Sequence, residues 1–197
     1  MNITKRHIEA IARHLNPSQR NEGALTSEQT QNSSTLQLAS DPTTDPEILA
    51  SLAKTVDADV LEAVAGNVST PRLALGTLCS SAIDAIRWQA GANQNLPECL
   101  MANIQHDPIA WVRESVAINI GASPQILAEM ALDPDEVVRW QVAQNANTTS
   151  AVLSQLEDDT DVLVARTAAL HLKVRSGEEP ALAFMFSTEV VSAVAAA

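Results

Sequence analysis

Val112-Arg113-Glu114-Ser115-Val116-Ala117-Ile118-Asn119 is followed, 26 residues later, by Val138-Arg139-Trp140-Gln141-Val142-Ala143-Gln144-Asn145. The shared frame is Val-Arg-x-x-Val-Ala-x-Asn. Working back along the chain, the same frame stands at Ile86-Arg87-x-x-Ala90-Gly91-x-Asn93 and at Val60-Leu61-x-x-Val64-Ala65-x-Asn67. Asn67, Asn93, Asn119 and Asn145 are separated by a constant step of 26. A fixed period in this range marks an architecture in which one supersecondary unit is stacked on copies of itself. The apolar spacing inside the frame is helical, and a second apolar run follows each Asn.

Those second runs hold register as well. Leu49, Leu75, Met101, Leu127 and Leu153 form one file, and Leu52, Leu78, Ile104, Met130, Leu156 and Leu182 another. Asp45-Pro46, Thr70-Pro71 and Ser123-Pro124 each set a capping side chain before a proline, the signature of a helix start. Leu96-Pro97 keeps the proline without the cap, and Thr148-Thr149 keeps caps without the proline. The small residues Ala39, Ala65, Gly91, Ala117, Ala143 and Ala169 fill a further file, which implies close approach of adjacent helices. A larger side chain there overpacks, at a cost of about 1–3 kcal/mol.

The predicted fold is therefore all-α: a right-handed α-solenoid, or superhelix, of about five to six two-helix repeats. Its organisation reads as an N-terminal amphipathic helix (1–17), a flexible polar linker (18–34), the repeat array (35–182) and a C-terminal capping helix and tail (183–197). In the first segment Ile3, Ile8, Ile11, Ala12 and Leu15 share a face while Lys5, Arg6 and Arg13 lie elsewhere, fitting either a cover for the open end of the stack or a membrane-surface or partner-docking helix.

The phrases Asp107-Pro108-x-x-x-Val112-Arg113-x-x-Val116-Ala117-x-Asn119 and Asp133-Pro134-x-x-x-Val138-Arg139-x-x-Val142-Ala143-x-Asn145, each followed by a Leu-bearing helix, resemble the bacterial leucine-rich repeat variant family, itself similar to HEAT-type repeats. The resemblance spans residues 35–182 and implies a superhelix alternating an α-helix with a second helix that is often 3₁₀. The step of 26 is slightly longer than the family's usual one, which leaves room for a fully α second helix, and the sequence does not decide between α and 3₁₀. The family's founding type carries an iron–sulfur cysteine cluster ahead of its repeats. Here Cys79 and Cys99 are the two cysteines, neither precedes the array, and a cluster needs four thiolates, so no such cofactor is implied.

Composition narrows the function. Hydrophobic residues make up 46% and aromatics 3%, with no Tyr, so Ala, Leu and Val fill the interior. The formal charge is −12, and residues 21–165 hold 5 Lys/Arg against 20 Asp/Glu. Phosphate backbones need basic surfaces, so nucleic acid is not the expected partner. Two cysteines suit a reducing compartment, and no long apolar run or signal-peptide pattern occurs, which predicts a soluble cytoplasmic protein. No metal-ligand spacing, phosphate loop, nucleophile elbow or HExxH is present, so no catalytic residue, metal or cofactor is expected.

Arg87, Arg113 and Arg139 form a basic file, and Trp88, Trp111 and Trp140, the chain's three tryptophans, lie beside it. Arg next to Trp is the composition of interaction hot spots. Asp84 and Asp135 sit at helical spacing from Arg87 and Arg139 and are candidate local partners, whereas Arg113 lacks one and reads as the freest. The expected function is a non-catalytic protein–protein interaction module using these six residues. The alternatives are a HEAT-like nucleic-acid-binding or DNA-glycosylase-type protein and a purely structural or self-assembling array. The asparagine file is expected to be structural, serving backbone groups of the turn and of the next repeat from a helix end where Asn tolerates left-handed geometry. The acidic runs at 133–136 and 157–161 are expected to serve helix N-termini.

Overall fold

The computed structural model describes residues 27–178, within which every regular element is helical. The helix expected over 1–17 and the capping tail over 183–197 lie outside the described residues. First helices are α1 (Ser27–Ser40), α3 (Ala58–Gly66), α5 (Asp84–Ala92), α7 (Ala110–Ala117), α9 (Glu136–Gln144) and α11 (Val162–Ser176). Between them stand α2 (Pro46–Leu52), α4 (Arg72–Leu78), α6 (Glu98–Ile104), α8 (Pro124–Met130) and α10 (Ser150–Leu156). The five second helices are all α, each of seven residues.

Consecutive first helices pack on one another, and each second helix packs on the first helix that follows it, α10 on α11 most extensively. The files explain why. Leu49, Leu75, Leu127 and Leu153 are 0% exposed, as are Val112, Val138 and Val164 in the first helices. Burying one such side chain stabilises by about 1.5–3 kcal/mol, so one position repeated down the layer secures the register of the whole. In the small file Ala65, Ala117 and Ala143 are completely buried, and a Cβ at Gly91 would stand 1.9 Å from Ser115 Oγ.

Helix starts follow the capping logic with one shift. Asp45 caps α2 through the Glu47 amide with Pro46 at the first turn, and Ser123 caps α8 in the same way. At Thr70-Pro71 and Leu96-Pro97 the prolines themselves are the N-cap residues, and no side chain caps the helix. Thr70 Oγ1 turns back to donate to the Val64 carbonyl at 2.5 Å, and Thr148 does the same to Val142. It is Thr149 that caps α10. Only Gly177, ending α11 at φ +80, uses left-handed backbone among the described residues.

One boundary differs from the expectation. α1 begins at Ser27, eight residues inside the stretch 18–34 read as linker. Pattern reasoning detects apolar periodicity, and the sequence of 27–34 is wholly polar. Once the turn holding Leu36 and Ala39 packs on α3, each further residue extends the helix at little cost.

Candidate functional site

The asparagine file runs as a hydrogen-bonded rail along the repeats. Asn119 Nδ2 donates to the carbonyls of Gly91 and Asn93 at 2.8 and 2.9 Å, and its Oδ1 accepts from the Gly121 amide at 2.8 Å. Asn93 does this to Ala65 and Asn67, Asn67 to Ala39 and Asp41, and Asn145 to Ala117 and Asn119. Each side chain thus satisfies two carbonyls of the preceding repeat and one amide of its own turn. The carbonyls served belong to the preceding repeat and not, as expected, to the next, and the tolerance for left-handed geometry is not used: Asn67, Asn93 and Asn145 are extended, with φ between −67 and −71. The side chain supplies the bonds, so the main chain need not bend to make them. At the two ends of the file the residue changes. Asp41 keeps the accepting role, towards Thr43, and has no amide with which to donate. His171 reaches one carbonyl, Ala143, through Nδ1 at 2.9 Å.

The arginine file forms a second rail. Arg113 Nε and Nη2 grip both oxygens of Asp133 at 2.6 and 2.7 Å, while Nη1 donates to the Asp107 carbonyl at 2.9 Å. Arg87 holds Asp107 and the Ser81 carbonyl, and Arg139 holds Asp159 and the Asp133 carbonyl, in the same geometry. Each aspartate also accepts from the amide two residues on, at 109, 135 and 161. The arginine side chains are 12–13% exposed and the aspartates 5–8%. The expected partners Asp84 and Asp135 make no hydrogen bond to the file; Asp135 caps α9 instead. Arg113, read as the freest, is clamped like the others. The acidic runs divide their labour, since Asp135 and Asp161 cap helices whereas Asp133 and Asp159 receive arginines.

Electrostatics follow from that packing. The bond from Arg139 holds the Asp159 carboxyl below its usual range against the opposing effect of burial. At Asp107 burial pushes upward most strongly, yet Arg87, the Ile109 amide and the charge of Arg113 together bring the net shift downward. Bonds to Asp107, Asp133 and Asp159 raise Arg87, Arg113 and Arg139 respectively.

The tryptophans lie on the same three first helices as the arginines. Trp88 on α5 and Trp111 on α7 stack with centroids 6.3 Å apart and planes 29° from parallel. Trp140 on α9 donates from Nε1 to Thr167 Oγ1 at 3.1 Å. All three are half-buried, with one part of each ring against the core and the rest facing outward. Between Trp88 and Trp140 in the same file stands Glu114, 4% exposed, whose Oε1 accepts from Gln141 Nε2 at 2.7 Å. Towards α3 the face continues into a shallow groove of about 280 Å³ lined by Asp59, Glu62, Ala63, Gly66 and Gln89.

Sequence reasoning missed Asp107, Asp133 and Asp159 as partners of the arginines, and missed Glu114. The signal for the former was present as a constant separation of 20 from each arginine. Chemically, the face offers aromatic surface beside carboxylates, a pairing suited to cationic and apolar side chains. Among the described residues no group of three or more His, Cys, Asp or Glu is placed to hold a metal ion, and no helix is long and apolar enough to cross a membrane. No protein-family model matches the sequence, and neither does any curated protein.

Proposed function

We propose that the chain is a right-handed solenoid of the leucine-rich repeat variant type, and that it acts as a non-catalytic protein–protein interaction module in the cytoplasm. The docking surface is the first-helix face bearing Trp88, Trp111 and Trp140. The observation that carries this reading is the partly buried Trp88–Trp111 stack, which joins two consecutive first helices. Paired aromatic rings held by a rigid layer bury large area on docking while losing little side-chain freedom. Arg87, Arg113 and Arg139 belong to this site as positioning residues, since their guanidinium groups are bound within the array. Free thiols at Cys79 and Cys99 support a reducing compartment.

The partner's chemistry follows from charge. Residues 21–165 hold 5 basic and 20 acidic side chains; removing the three Arg–Asp pairs leaves 2 against 17. A partner meeting this surface is basic, and phosphate is repelled. The test is affinity capture from the native cell extract with the wild-type chain and with Trp88→Ala/Trp111→Ala, both verified as folded by their helical melting. The captured protein is then titrated against each purified form. Loss of capture by the variant supports the tryptophan face, and equal affinity for both forms removes it.

A further inference from the structure

We infer that the turn at Gly121 is an arginine-binding site, where the guanidinium of a protein partner completes a row of bonds that the repeats otherwise make for themselves. The row lies two residues after each rail asparagine, on the turns leading from first to second helices. Ser69 Oγ donates to the Pro42 carbonyl at 2.6 Å, and Asn95 Nδ2 donates to the Val68 carbonyl. Asn147 Nδ2 donates to the Ile120 and Ala122 carbonyls at 2.7 and 3.0 Å. Position 121 belongs to the same file and is glycine. A Cβ there would lie 3.9 Å from the Gln94 carbonyl oxygen, so the position faces the acceptor that a longer residue would serve. The carbonyls of Gln94 and Leu96 correspond to those of Ile120 and Ala122, and among the described residues nothing donates to them.

The chain itself shows what fits such a pair. In the last repeat Arg175 Nη2 and Nη1 donate to the Ala146 and Thr148 carbonyls, the next equivalents in the row, at 2.6 and 2.5 Å. A planar guanidinium thus bridges both oxygens at once, which the compact charge of an ammonium does less well. Charge at the turn favours a cation too. Glu98 is exposed in the first turn of α6, two residues after Leu96, and makes no ion pair among the described residues. Ile120, beside Gly121 and 68% exposed, offers apolar surface to the aliphatic stem of an arginine. The site stands apart from the tryptophan reading and does not depend on it.

The experiment titrates the isotope-labelled full chain with the blocked peptide acetyl-Gly-Arg-Gly-amide at low ionic strength and follows amide signals by NMR. Those of Asn95, Leu96 and Gly121 are expected to move together and saturate. Those of Asn147 and Thr149, beside the carbonyls that Arg175 already holds, stay in place. The lysine counterpart of the peptide is expected to bind about three-fold more weakly, since it does not bridge both oxygens. Gly121→Asn supplies a donor from the chain and is expected to weaken the arginine peptide about five-fold. Glu98→Gln, an exposed change, is expected to weaken it about three-fold. Equal affinity of the three chains overturns the inference, as does movement confined to other turns. Equal binding of the two peptides overturns the assignment to a guanidinium. A Cβ at position 121 would stand 3.2 Å from Asn119 Oδ1 and 3.3 Å from Met101 Cε, so the fold of Gly121→Asn is checked by its helical melting. Where that variant does not fold, undiminished affinity of Glu98→Gln is by itself enough to overturn the site.

Discussion

Arg113 and Asp133 belong to consecutive repeats, and two charge-assisted bonds of 2.6 and 2.7 Å join them where their side chains are 12% and 5% exposed. The same arginine holds the main-chain carbonyl of Asp107, whose carboxylate is gripped by Arg87. The rail is therefore continuous from Ser81 to Asp159, and each arginine ties its own repeat to the next.

Removing one member leaves a desolvated charge behind. Arg113→Ala is expected to lower stability by about 3–5 kcal/mol in urea unfolding, and Arg113→Glu by at least as much, because it sets a second carboxylate against Asp133. Arg113→Met/Asp133→Asn removes both charges and keeps an acceptor for the Asp135 amide, so it recovers much of that loss. A cost within experimental error of zero for Arg113→Ala sinks the rail as a structural element. Reversal of this arginine, read from sequence as the freest of the three, is thus predicted to act on the fold.

Asn119→Ala strips the donors from two buried carbonyls and the acceptor from the Gly121 amide. The expected loss is about 1–3 kcal/mol, dominated by the unpaired groups left behind. Asn119→Asp keeps the acceptor and aims a carboxylate at the same two carbonyls, so it is expected to be worse at neutral pH. Asp41→Asn on the exposed first turn is the control and is expected to leave stability within about 0.5 kcal/mol of wild type. Equal effects at 41 and 119 in thermal melts contradict the asymmetry.

The 26-residue frame made the files of Leu, Val, small residues and Asn legible, because one repeated environment demands one repeated side chain. The arginine pairing was written there too, at a separation of 20. Leu61 faces Ser81 at that spacing, while Arg87, Arg113 and Arg139 face Asp107, Asp133 and Asp159. Arginine stands where the aspartate stands, and is missing where it is missing. The helical rule of three or four residues looks within one helix, whereas this pair crosses a whole second helix to reach the next turn. Thr70 was misread for a related reason: a hydroxyl before proline caps a following helix or returns to a preceding carbonyl, and local sequence does not distinguish the two. The outward placement of the tryptophans was legible only as their shared helix layer.

Gly91 stands in the small file where the other first helices carry alanine. A methyl there meets Ser115 Oγ at 1.9 Å and Ser115 Cβ at 3.0 Å, and Ser115 is itself fixed by a 2.6 Å bond to the Val112 carbonyl. Gly91→Ala is therefore expected to destabilise by about 1–3 kcal/mol despite alanine's better helix propensity. Ser115→Ala in the same chain removes the closest atom and is expected to restore part of the loss. A stabilised Gly91→Ala variant in chemical denaturation contradicts the close approach of α5 and α7.

His171 closes the asparagine file with an imidazole. Burial lowers its pKa most, the bond to the Ala143 carbonyl opposes that, and the charge of Arg175 lowers it further, for a net downward shift from 6.5. A depressed folded pKa means that the unfolded chain binds the proton more readily. Its stabilisation is present above about pH 6.5 and is lost as pH falls from there through the folded value. Asp159 has the same sign at lower pH, its contribution being lost as pH falls below about 3.9 towards its depressed folded value. Acid weakening of the array should thus come in two steps. His171→Asn abolishes the first and restores a donor to the carbonyls of the preceding repeat, so its unfolding free energy is expected to be flat between about pH 5 and 7, where the wild type slopes. An identical slope in both chains shows that His171 is not the group responsible.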